Sequence, residues 1–181
     1  MIKLEIELNN LVEHFASTLF KVRGIYRYNI PAGNKGVQKS ASYPGFIFPL
    51  SGCAEYKFNN TPYLVSEGTV VHGLAGATMH KRVVGCENWE YISVLYETFN
   101  EPSKLNLARS HFSLTMRQSP QLLDLLHQLH VVSNRPGAFP EFQVETLFRR
   151  VLEEVFLCAR NQTKHDAFEL FETVADYIHT H

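Results

Sequence analysis

At 181 residues and 45% hydrophobic content the chain can bury one core, and with 19% charged residues it is not a disordered segment. A net charge of −1, with Lys81-Arg82 and Arg149-Arg150 as its only adjacent basic pairs, argues against a nucleic-acid surface, which needs clustered cations. No run approaches the ~20 apolar residues of a membrane helix, and the start Met1-Ile2-Lys3-Leu4-Glu5 lacks the apolar core of a signal peptide, so a cytoplasmic protein without membrane contact is expected.

Leu4 to Phe20 places Leu8, Leu11, Val12, Phe15 and Leu19 at helical spacing, while Leu19 to Tyr28 also alternates as a strand would. Ile30 to Gly36 is rich in turn residues, and the loop onward to Pro44-Gly45 is polar and expected to be exposed. A regular strand pattern follows. Phe46 to Leu50 is a short apolar strand, Ser51-Gly52 a kink, and Ala54, Tyr56 and Phe58 share one face of the next strand. Asn59-Asn60-Thr61-Pro62 closes a hairpin into Tyr63-Leu64-Val65, and Ser66-Glu67-Gly68 turns into Thr69 to Leu74. With Arg82-Val83-Val84 and Tyr91 to Tyr96 there are at least six strands, spaced as in an antiparallel sandwich or barrel.

From Ser119 the character changes. Ser119 with Pro120 opens a helix carrying Leu122, Leu123, Leu125, Leu126 and Leu129, which Asn134-Arg135-Pro136-Gly137 ends. A second helix carries the stripe from Val144 to Ala159, and a third begins near Asp166 with Phe168, Phe171, Val174, Ala175 and Ile178. The chain ends inside that pattern, so a module cut from a larger protein is expected.

The runs Phe46-Ile47-Phe48-Pro49-Leu50-Ser51-Gly52-Cys53-Ala54-Glu55-Tyr56 and Tyr63 to His72 resemble the cupin-like sensor domain of AraC-type transcription regulators. Val174 to His181 is similar to the first helix of that family's DNA-binding unit. Within the family, His72 through Gly85 to Glu90-Tyr91 looks most like regulators of iron-siderophore uptake in Gram-positive bacteria. The resemblance implies an α+β fold: an antiparallel, jelly-roll-type β-barrel over residues 1–110, then a helical dimerisation and linker segment over 111–181. It implies effector sensing and homodimerisation upstream of a DNA reader that this sequence does not contain, so DNA would be contacted only through that absent part. Gly52 and Gly68 would let the chain turn sharply at barrel corners.

Cys53, Cys86 and Cys158 are expected as reduced thiols buried as small hydrophobes without a metal's spacing, and Cys53 and Cys86 have no catalytic His nearby in sequence. His72 and His80 are eight apart and no His-x-His occurs in the strand region, so neither a metal nor another cofactor is expected. Of the aromatic residues, most belong to a core. Tyr56, Trp89 and Tyr91 are the candidates to line a ligand pocket, with His72 at its mouth and Trp89 at its rim. Arg82 or Lys81 would suit an anionic effector. The helical stripe offers Leu147, Val151, Leu152 and Val155 as a dimer seam. A metal-dependent cupin enzyme is the alternative, and a filled barrel without a ligand is a third reading.

Overall fold

Short strands that alternate polar and apolar side chains bury their apolar faces by stacking one sheet on another. The computed structural model, which describes residues 7–100, 105–117 and 119–180, does this with nine strands. β1 (Leu19–Ile30), β8 (Trp89–Phe99), β3 (Gly45–Ser51), β6 (Thr69–Gly73) and β9 (Phe112–Thr115) form one antiparallel sheet in that order. β2 (Lys35–Lys39), β7 (Thr78–Val84), β4 (Cys53–Phe58) and β5 (Thr61–Val65) form the other. The sheets are not closed into the expected barrel. β1 and β9 stay the edges of the larger sheet, β2 and β5 those of the smaller, and the result is an open sandwich.

Each face of the larger sheet has its own partner, the small sheet on one side and helices on the other. This explains why β3 reads as a continuous apolar run: Phe46 and Phe48 face the helices, Gly45 and Ile47 the small sheet. The small sheet has one solvated face, so β4 buries Ala54, Tyr56 and Phe58 and leaves Cys53, Glu55 and Lys57 partly exposed. The turns follow their residues. Asn59 takes φ 54° at the β4–β5 hairpin. Gly52 takes φ +77° where an added Cβ would lie 2.2 Å from the Asn88 carbonyl oxygen, and Gly68 takes φ +84°.

Both readings of the N-terminal segment hold, on either side of Thr18. α1 (Leu8–Ser17) buries Leu11 and Phe15, and β1 follows at once. Leu4 to Ile6 and His181 lie outside the described residues. α2 (Pro120–Ser133) starts as expected, the Ser119 hydroxyl accepting the Leu122 N–H at 3.2 Å. α3 corrects the expectation of two helices: Ala138–Thr180 is one helix of 43 residues.

Leu147, Phe148, Val151, Leu152 and Val155 of α3 are buried, and α3 packs on α1, α2 and β1 within the same chain. Glu145 of α3 also accepts the Val22 N–H at 2.9 Å, beside the bulge in the β1–β8 ladder. The seam drawn through Leu147, Val151, Leu152 and Val155 is therefore already covered, because these side chains complete the chain's own core. Two further expectations change. β9 extends the larger sheet past the boundary drawn at residue 110, and among the cysteines only Cys158 is buried, Cys86 being exposed.

Candidate functional site between the sheets

Side-chain parity decides what faces the space between the sheets. On β8, Trp89, Tyr91, Ser93 and Leu95 turn toward the small sheet, while Ile92, Val94 and Tyr96 turn toward the helices. On β7, Met79, Lys81 and Val83 turn inward and His80 and Arg82 outward. The inward faces do not fill the sandwich. They leave a cavity of about 420 Å³ with Phe58, Gly73, Tyr56 and Tyr91 among its inner walls and Tyr26, Tyr28 and Tyr43 at its exposed end.

The walls are a run of rings. Tyr28 lies 5.1 Å from Tyr91 between centroids, Tyr91 stacks on Trp89 at 5.5 Å, and Tyr56 meets Tyr91 edge-on at 6.2 Å. Trp89 Nε1–H donates to the Tyr56 hydroxyl at 3.0 Å. Tyr56 and Tyr91 share a further side-chain hydrogen bond, and burial raises the pKa of both phenols, so both remain neutral donors at physiological pH. The Lys81 ammonium sits 5.8 Å from the Tyr91 ring centroid. Ser40 at the cavity wall donates to the Leu74 carbonyl and accepts the Ala77 N–H, each at 2.8 Å, pinning the loop that closes one side.

Of the four candidates, Tyr56 and Tyr91 line this cavity. Trp89 does not stand at the rim: it is fully buried, bonded to Tyr56 and stacked on Tyr91, and supports the wall from behind. Its polar neighbours in sequence suggested a turn, but Trp89 already opens β8, in register with Ile30.

His72 is not at the mouth. It pairs with Phe46 across the β3–β6 ladder and shares that residue's helix-facing side, leaving Val71 and Gly73 to the cavity side. There its Nδ1 lies 3.0 Å from the Ser110 carbonyl oxygen and its Nε2 2.8 Å from the Tyr96 hydroxyl, with the ring stacked on Phe112. A carbonyl only accepts, so Nδ1 carries the proton and Nε2 accepts from Tyr96. Burial pushes the His72 pKa down to about 3.

Sequence reasoning missed Tyr26, Tyr28, Tyr43 and Gln38. The i, i+2 pair Tyr26/Tyr28 was the available signal. Arg82, the other cation considered, faces outward and pairs with Glu55 at 3.4 Å. Among the described residues no three His, Cys, Asp or Glu side chains converge as a metal site would require. A larger groove, about 800 Å³, runs between α1 and α3 past Val12, Phe20, Phe142 and Phe156, outside the sandwich and away from the four ligand-pocket candidates, with Leu152 of the seam among its lining.

No family model matches the chain, and no curated protein matches it in sequence. Solved structures do match. Apo ToxT K231A from Vibrio cholerae, an AraC-family regulator, superposes with a TM-score of 0.53 at 10% identity, over 72% of this chain and 54% of that one. A predicted oxalate decarboxylase from Thermotoga maritima gives a TM-score of 0.38 at 18% identity over 50% of this chain and 73% of that one. The Cnp3 cupin domain of Schizosaccharomyces pombe gives 0.38 at 21% identity, over 45% and 63%. The likeness is one of fold: two antiparallel sheets followed by a helix. This chain spans about half the length of ToxT.

Proposed function

We propose that this chain is the effector-sensing and dimerisation domain of an AraC-type transcription regulator, taking a small molecule between its two sheets. The cavity itself carries this reading: it is concave, largely aromatic, and presents a few polar groups, which is the usual make-up of a small-molecule site. The fold-level likeness to ToxT and the strand-and-turn resemblance around Phe46–Tyr56 and Tyr63–His72 support the regulator class. The resemblance to siderophore-uptake regulators makes a molecule from iron acquisition the first effector to try. In this proposal the domain binds and signals without catalysis, and DNA is contacted by a helix-turn-helix unit outside this chain.

Trp89 is the only tryptophan and touches both cavity tyrosines, so its emission reports on their packing. Titration with a panel of sugars, fatty acids, aromatic acids and siderophore fragments should give a saturable change with at least one class. Tyr91→Ala should weaken that binding by removing stacking area. A panel without any response, or binding indifferent to Tyr91→Ala, would count against the inter-sheet site. Stoichiometric iron, manganese or zinc in the purified protein would move the assignment to a metal-dependent cupin enzyme.

A further inference from the structure

The cavity has a charge as well as a shape. Lys81 is the only Lys, Arg, Asp or Glu among its lining residues, and it stands on the inward face of β7, where alternation otherwise puts Met79 and Val83. A half-buried lysine between two sheets is costly unless something answers its charge. No ion pair to Lys81 exists among the described residues; its ammonium rests over the Tyr91 ring instead. Gly36 lies opposite Lys81 in the β2–β7 ladder, so no side chain of β2 covers it at that position. Around it the walls are rings: Tyr28, Tyr56, Phe58 and Tyr91.

Resting on the proposed inter-sheet site, we propose that its ligand is a planar aromatic carboxylate, the carboxylate on Lys81 and the ring against Tyr91 and Tyr28. Charge selects the anion, because the cavity lining offers one cation and no carboxylate. The tyrosine walls select the ring, since offset and edge-on aromatic contacts add to plain burial. The cavity, about 420 Å³, has room for one or two fused rings. Burial also lowers the Lys81 pKa, the mark of an ammonium whose hydration an anion would replace.

The test is calorimetric titration at pH 7 with 2-naphthoate, its neutral isostere 2-naphthamide, and octanoate as an aliphatic acid. The acid with the rings should bind at least tenfold more tightly than either other probe. Lys81→Met, which keeps the stem and removes the charge, should abolish the preference for naphthoate over naphthamide while leaving the melting temperature unchanged or raised. Tyr91→Leu should weaken both naphthyl compounds severalfold. If naphthamide equals naphthoate and both depend on Tyr91, the aromatic-anion proposal fails and the inter-sheet site stands. Tighter octanoate binding, or an acid preference that survives in Lys81→Met, also overturns it. If the folded protein binds none of the three, both the ligand class and the site are wrong.

Discussion

His72 is held by a carbonyl that takes its Nδ1 proton and a tyrosine hydroxyl that needs its Nε2 lone pair, so only the neutral ring satisfies both. The consequence is a pH dependence with a definite sign. The unfolded chain protonates His72 near its ordinary value of about 6.5, whereas in the fold burial delays protonation to about 3. Between those values the unfolded state holds the extra proton, so stability is lost as pH falls, by at most about 1.4 kcal/mol per pH unit. Burial lowers the His130 pKa as well and adds to the slope, while Glu145, whose pKa burial raises, opposes it. Urea midpoints measured from pH 7 to pH 4 should fall, and His72→Gln should flatten the curve; an unchanged slope would remove His72 from the account. The placement of His72 was within reach of parity, since Phe46 faces the helices and pairs with it, but pairing register is not visible in a single strand's sequence. Gly52 was more legible. Gly52→Ala should cost about 1–3 kcal/mol from its φ of +77° alone, plus the clash with Asn88, read as a lowered melting temperature.

At the scale of elements, α3 divides by what it touches. Up to Ala159 its stripe is core, so Leu152→Ala should destabilise by about 2–5 kcal/mol in urea unfolding. Further along, Phe171 is 70% exposed, and at protein concentrations that keep the chain monomeric Phe171→Ser should change stability by no more than about 0.5 kcal/mol. Equal effects at the two sites would contradict this division. The same contrast explains why the helix looked like two. Residues 160–167 are mostly polar and carry no stripe, but contain neither Pro nor Gly, and the i, i+4 pairs Gln162–Asp166 and His165–Glu169 help the backbone run on. The edge strand β2 was hidden for a similar reason. Lys35-Gly36-Val37-Gln38-Lys39 is exposed throughout, and charge on an edge guards it against further pairing while erasing the apolar signal of a strand. Ser119 and the Asn59 hairpin, by contrast, declare themselves through local chemistry that tertiary packing does not alter.

For the whole molecule, turn spacing made two facing antiparallel sheets legible, whereas closure depends on whether the edges β1 and β9 pair with the edges β2 and β5 of the other sheet, and no local pattern encodes that. The near-neutral charge predicts no gel shift of duplex DNA at micromolar protein and physiological salt. With the inner stripe of α3 covered, the proposed homodimer must use surface that remains exposed, such as Phe168, Phe171, Val174 and Ile178. Sedimentation equilibrium should find a dimer that Phe168→Ser with Phe171→Ser dissociates, and a monomeric unmodified protein at high concentration would end that part of the proposal. The central claim, a ligand held between the sheets, is tested most directly by ¹H–¹⁵N correlation spectra during titration with 2-naphthoate. The single indole N–H, bonded to Tyr56 inside the sandwich, should shift saturably together with amides of β4, β7 and β8. Shifts confined to the α1–α3 groove around Val12 and Phe156, with the indole signal unmoved, would contradict it.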